Sequence, residues 1–159
     1  MRIWKYSGIA AFWLTWPLIW IYLRITPARS RVLVICDGKI LLVGSWLGPG
    51  KWSLPGGGID SHETPVHAAI RELEEELRLS VDEDTLIPLG LREVKGNSGL
   101  VVKHYLFAAV FESVPIITPA PYEIMEYKWQ DVDDVAHDNK VLNSVVDALA
   151  AWRKAQNLL

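Results

Sequence analysis

Residues 57 to 79 read GGIDSHETPVHAAIRELEEELRL, a tight glycine turn placed directly before a short helix that carries a cluster of carboxylates. Thr64 followed by Pro65 supplies an N-cap and a first helical residue, so the helix runs from about 65 to 78. Glu72, Glu75 and Glu76 stand at i, i+3 and i+4 and emerge on one side of it. Like charges held that closely repel. A hard dication relieves the repulsion, because Mg2+ and Mn2+ prefer carboxylate and water oxygens and share their shell with substrate phosphates. Val66, Ile70, Leu73 and Leu77 form an apolar stripe at 4-3-4 spacing on the opposite face, which packs on a sheet. One helix thus carries both core and chemistry. Upstream, Pro55-Gly56-Gly57-Gly58 gives backbone that approaches a ligand closely and tolerates positive φ.

With Gly57, Glu63, Arg71, Glu72, Leu73, Glu75, Glu76 and Leu79 all in register, the segment resembles the box of the Nudix hydrolases, G-x5-E-x7-R-E-U-x-E-E-x-G-U, where U is aliphatic. Arg78 departs from it, standing where the box has its last glycine. That glycine serves the helix exit, so the departure predicts an altered turn geometry and a local loss of stability.

The resemblance implies an α/β fold, an α/β/α sandwich with a mixed β-sheet, and a divalent-metal-dependent pyrophosphohydrolase using Mg2+ or Mn2+. It makes Glu72, Glu75 and Glu76 metal-binding carboxylates, joined by the main-chain carbonyl of Gly56. Glu75, Glu76 and Arg71 then form the catalytic set, Arg71 orienting its neighbours through Glu63 or an adjacent carboxylate. Gly57 and Glu63 are structural members of the box. Relatives draw a further glutamate from beyond the box as ligand or general base. Here the candidates are Glu123 and Glu126, of which Glu123, at the end of a proline-rich loop, is preferred; the alternative for each is a solvated glutamate at a strand start. Lys51 and Trp52 are candidates for substrate contact, Lys51 at a phosphate and Trp52 at a base, with structural packing the alternative for the tryptophan.

Apolar runs at 31–36, 39–45, 86–94, 101–111 and 124–130 read as strands, with Asp37-Gly38 as a hairpin turn. Residues 131–136 and 141–156 read as helical, the second with Val141, Val145, Leu149 and Trp152 on one side. The 159 residues suffice for one catalytic domain over 29–159. Cys36 is the sole cysteine, so an intrachain disulfide is excluded and the thiol reads as a small core residue. His62, His67, His104 and His137 show no metal-ligand spacing as a set.

Residues 1–28 form a separate unit. Tyr6 to Leu23 is an 18-residue stretch without a charge, flanked by Arg2, Lys5 and Arg24. It is expected to be an N-terminal hydrophobic helix that spans or lies in a membrane, contacting lipid and holding the catalytic domain on the cytoplasmic side; packing on the domain or pairing in a homodimer are alternatives. Residues 1–31 hold five basic and no acidic residues, so with −3 for the whole chain the remainder carries −8. A domain that acidic does not suit general nucleic-acid binding. The expected partner is a small nucleoside diphosphate derivative. The anchor motivates a lipid or prenyl diphosphate as an alternative substrate, and a nucleotide sensor without turnover is a third reading.

Overall fold

The structure, a computed structural model, describes residues 28–45, 50–95 and 101–157. The hydrophobic helix expected over 1–28 lies outside them except for Ala28, which already opens a strand. Among the described residues no helix is long and apolar enough to cross a membrane.

Among the described residues five strands and two α-helices follow one another as β1 (Ala28–Cys36), β2 (Lys39–Ser45), α1 (Pro65–Leu77), β3 (Ile87–Lys95), β4 (Val101–Phe111), β5 (Ile124–Asp131) and α2 (Asn143–Gln156). The sheet order is β3-β4-β1-β2-β5. β1 and β4 run parallel and the other neighbours antiparallel, so the sheet is mixed, as expected. β1 lies at its centre, buried without interruption from Val32 to Cys36, because both its faces are covered. Val32, Val34, Leu41, Val43, Phe107 and Ala109 point to one side, under α1. Leu33, Ile35, Ile40, Leu42, Leu106 and Ala108 point to the other, under α2. Each fully buried aliphatic side chain contributes roughly 1.5–3 kcal/mol relative to exposure. Asp37 and Gly38 both take positive φ, 48° and 68°, making the expected two-residue hairpin turn between β1 and β2.

The sheet-facing stripe of α1 differs by a fraction of a turn from the expected one. Ala69, Leu73 and Leu77 form its buried centre, while Val66 and Ile70 flank it half-buried. The small residues Ala68 and Ala69 let the helix lie close to β1, where the Ser30 hydroxyl donates to the Pro65 carbonyl at 2.8 Å. This rotation brings Glu72 into the buried row beside Leu73.

The helices expected over 131–136 and 141–156 are also corrected. Asp131 remains in the β5 ladder opposite Lys39, and Val132 donates to the Gly38 carbonyl at 3.1 Å, so only a single 3-10 turn forms, at Val135–His137. Val141 bridges Trp52 in extended conformation, with Trp52 N donating to Lys140 O at 2.8 Å and Leu142 N to Trp52 O at 2.9 Å. That pairing delays the start of α2 to Asn143.

Arg78 does not alter the helix exit, contrary to expectation. It adopts the left-handed conformation of the glycine it replaces, φ 54° and ψ 37°, with its N–H on the Glu74 carbonyl at 3.0 Å and that of Leu79 on the Leu73 carbonyl at 3.2 Å. The turn is retained and the cost falls on Arg78's own backbone, since a side chain in that region raises the energy by roughly 1–2 kcal/mol. Arg78→Gly is therefore expected to stabilise the protein by about 1 kcal/mol in urea unfolding, less than the full strain because glycine loses more backbone entropy on folding.

Candidate active site

β1 and β2 pair only next to their hairpin, at Ile35–Ile40 and Cys36–Lys39. Beyond it residues 53–58 run between them. Val32 N donates to Pro55 O at 3.0 Å and Ser30 N to Gly57 O at 2.9 Å on the β1 side, while Ser53 and Val43 exchange both hydrogen bonds at 2.9 Å on the β2 side. Two glycines make the fit possible. Gly56 has φ 122°, and a Cβ there would overlap the Ser30 carbonyl; a Cβ on Gly57 would overlap the Glu72 carboxylate.

The wedge meets α1 along its acidic side. Gly56 N donates to Glu76 Oε2 at 2.8 Å. Arg31, on β1, donates from Nη1 to the Leu54 carbonyl at 3.0 Å and also to the Gly56 carbonyl. Arg71 joins the remaining members of the box. Its guanidinium forks onto Glu63, Nε to Oε1 at 2.9 Å and Nη2 to Oε2 at 3.0 Å, and Nη2 also reaches the Gly58 carbonyl at 2.9 Å. Its Nη1 lies 2.9 Å from both Glu72 Oε1 and Glu75 Oε2. Arg71 thus binds three carboxylates and one main-chain carbonyl, the orienting geometry expected of it.

Electrostatics separates the glutamates. The hydrogen bond from Arg71 holds the Glu63 carboxyl below its ordinary value. Burial pushes Glu72 up, against the opposing pull of Arg71. Glu76 is pushed up to about 7, chiefly by burial and further by the charges of Glu72 and Glu123, with Arg31 and the Gly56 N–H opposing. Glu75 is exposed. Among the described residues, no three His, Cys, Asp or Glu side chains are already gathered into a cation cage. The groups that Glu72, Glu76 and the Gly56 carbonyl offer nevertheless fit a hard dication: they are oxygens, and carboxyls pushed up by burial are stabilised by added positive charge.

Of the two later glutamates, Glu123 is the one the fold brings near. The loop before β5 is tied to the end of α1, Ala120 N donating to Glu76 O at 2.8 Å and Thr118 N to Leu77 O at 2.9 Å, and the charge of Glu123 is felt at Glu76. Glu126 lies on β5 opposite Gly44, beside the Trp52 ring. Trp52 packs against the α2-side core with Lys128 Nζ 4.5 Å from its ring centroid. Lys51 is exposed, its Nζ on the Asn139 carbonyl at 3.0 Å. Residues 46–49 of the same loop lie outside the described residues.

Sequence reasoning missed Arg31, counted there only among the basic residues near the N-terminal segment. The signal was available: Arg31 shares strand parity with the buried Leu33 and Ile35, and a charge on an inward-facing row needs partners.

Linkage follows from the raised carboxyl of Glu76. A group whose folded pKa lies above its unfolded value of 4.5 binds its proton more tightly in the folded state, so the stability it contributes is present below 4.5 and lost as pH rises through about 7. In chelator, the melting temperature is expected to fall between about pH 5 and 7.5. Glu76→Gln should flatten that slope, and Mn2+ should restore the wild-type melting temperature at pH 7.5. Glu63, shifted the opposite way, acts below 4.5 and does not share the window.

Comparison with known proteins agrees with this geometry. The family model described as NUDIX domain matches residues 26–149. An oxidized purine nucleoside triphosphate hydrolase of Danio rerio is 36% identical over 110 residues, 67% of each chain. An RNA pyrophosphohydrolase of Erythrobacter litoralis is 33% identical over 102 residues, 54% of this chain and 62% of the relative. Among solved structures, the MutT NUDIX hydrolase from Burkholderia pseudomallei superposes with a TM-score of 0.67 at 23% identity, covering 78% of this chain and 95% of that one, a likeness of fold. The wedge of glycines, the Arg71 hub and the matched family model together make this chain a member of the Nudix hydrolase family.

Proposed function

We propose that the protein is a divalent-metal-dependent pyrophosphohydrolase that cleaves a nucleoside diphosphate linked to another moiety. The observation that carries this reading is the convergence of Glu72 and Glu76 on the glycine wedge, both carboxyls pushed up chiefly by burial, Glu72 further by the charge of Glu75 and Glu76 by those of Glu72 and Glu123. Glu72 and Glu76, with the Gly56 carbonyl and the half-engaged Glu75, would hold Mg2+ or Mn2+. The bound ion would supply charge neutralisation on the diphosphate and a lower pKa for the attacking water.

The chain's own residues do the rest. Arg71, fixed by its fork to Glu63, orients Glu72 and Glu75. Glu123, on the loop tied to the end of α1 and felt as a charge at Glu76, would accept the proton of the attacking water as general base. The glycine wedge exposes main chain on which a phosphate can lie closely. The relatives named above act on an oxidized purine nucleoside triphosphate and on RNA. The net charge of −8 over residues 32–159 favours a small nucleotide over a polynucleotide here. The uncharged stretch Tyr6 to Leu23 would hold the domain at a membrane, as its length and basic flanks suggest.

The test is turnover of a panel of nucleoside diphosphate derivatives and lipid diphosphates with Mg2+ or Mn2+, comparing the native chain with Glu76→Gln. The substitution is expected to lower kcat by about two to three orders of magnitude, the scale lost when a charge-stabilising group leaves a transition-state site. Tight nucleotide binding with no turnover by the native chain would instead establish a sensor.

A further inference from the structure

The β3–β4 ribbon projects from the sheet at the end where the chain enters it. Ala28, the first residue of β1, pairs with Lys103, and two further rungs of the ribbon, Val94–Val102 and Lys95–Val101, lie beyond that pair. Val101 is 51% exposed, Val94 and Val102 are half-buried, and Arg92, Glu93 and Lys103 are exposed around them. Residues 92–95 and 101–103 hold three basic residues and one acid, in a chain whose residues 32–159 carry −8. Apolar side chains on a projecting tip flanked by cations match an anionic lipid surface, which removes the valines from water and attracts the charges. The far end of the sheet has the opposite character, with Asp37, Glu112 and Asp131 against Lys39.

The length of chain before β1 is a second observation. The uncharged stretch ends at Leu23, five residue steps before Ala28. Fully extended, those steps span at most about 18 Å. A domain held at a membrane by that stretch therefore keeps its Ala28 end beside the bilayer, and the two extra rungs carry the ribbon about 7 Å past Ala28 along the strand direction. The glycine wedge joins the sheet at this same end, Ser30 N donating to Gly57 O at 2.9 Å and Ile59 N to Ala28 O at 3.4 Å.

We propose that the projecting end of the β3–β4 ribbon, through Val94, Val101, Val102, Arg92 and Lys103, docks on an anionic lipid surface and so turns the glycine wedge toward the bilayer. This rests on the reading of residues 6–23 as a membrane anchor and goes beyond it by assigning the face of the domain that meets lipid. A tether alone would leave the domain free to tumble within its reach; the docked ribbon fixes one orientation.

Spin labels on the full chain test it. Val101 and Val110 are both exposed and stand about 30 Å apart on β4, one toward each end of the sheet. Val101→Cys and Val110→Cys are labelled separately, Cys36 being buried, and thermal melting confirms that both fold. In vesicles of phosphatidylcholine with phosphatidylglycerol, power saturation then compares collisions with oxygen, which partitions into lipid, and with a water-soluble nickel chelate. The label at 101 is expected to favour oxygen and the label at 110 the chelate. Arg92→Gln and Lys103→Gln should each shift the docked-to-free ratio at the 101 label about fivefold toward free, while the chain still floats with the vesicles. Chelate-dominated collisions at both labels in a chain that floats would overturn the docking and leave the anchor standing. A chain that fails to float would remove the anchor and the docking together, whereas the hydrolase reading is decided separately by turnover of soluble nucleoside diphosphate derivatives.

Discussion

The hydrogen-bonded wedge of residues 53–58 between β1 and β2 is the constraint on which the rest of this structure depends. A sheet whose central strands stayed paired would leave no main chain at the edge of α1 to meet its carboxylates. Because the pairing of β1 with β2 stops after Ile35–Ile40, the N–H groups of Ser30, Val32 and Val43 turn to Gly57, Pro55 and Ser53 instead. These three N–H groups keep partners in the exchange, which is why so irregular a feature can sit at the centre of a sheet. The wedge in turn places Gly56 N against Glu76, Gly57 against Glu72 and the Gly58 carbonyl on Arg71, so one backbone segment positions three members of the site.

What could be read from the chain, and what could not, divides along the range of the interactions. The Asp37-Gly38 turn, the Thr64-Pro65 helix start, the strand at 39–45 and the register of the box all rest on residues within a few positions of each other, and these expectations hold. The failures involve partners far apart in sequence. Val141 has helical periodicity with Val145 and Leu149, yet Trp52, almost ninety positions earlier, captures it in an extended bridge. Arg31 has no neighbour in sequence that announces its attachment to Leu54 and Gly56. Glu123 and Glu126 could not be ranked by any local motif. Their difference appears only when the hydrogen bonds from Thr118 and Ala120 tie the preceding loop to the end of α1.

Arg78 shows how strongly tertiary packing can override a local preference. Leu79 is buried beneath α1 against the same core as Leu73 and Leu77, and it can reach that position only if the chain reverses at residue 78. Burial of a leucine is worth roughly 1.5–3 kcal/mol, more than or comparable to the roughly 1–2 kcal/mol needed to hold a side chain in the left-handed region. The exit therefore keeps its shape when the glycine is absent, and the strain is confined to one residue outside the carboxylate cluster.

Glu72 and Glu76 present the opposite balance, because here the unfavourable term lies at the site itself. Burying a carboxylate is costly unless its charge is matched, and the partners provided are incomplete. Arg71 divides its guanidinium among Glu63, Glu72, Glu75 and the Gly58 carbonyl, while Arg31 spends its hydrogen bonds on carbonyl oxygens. Glu76 keeps one backbone N–H and a carboxyl raised to about 7. A structure optimised for stability alone would place an aliphatic residue there, next to Leu73 and Leu77. Local rules are broken in this way where a site demands it. Positive charge on β1 offsets part of this burden, Arg31 pulling the Glu76 carboxyl down against the push of burial.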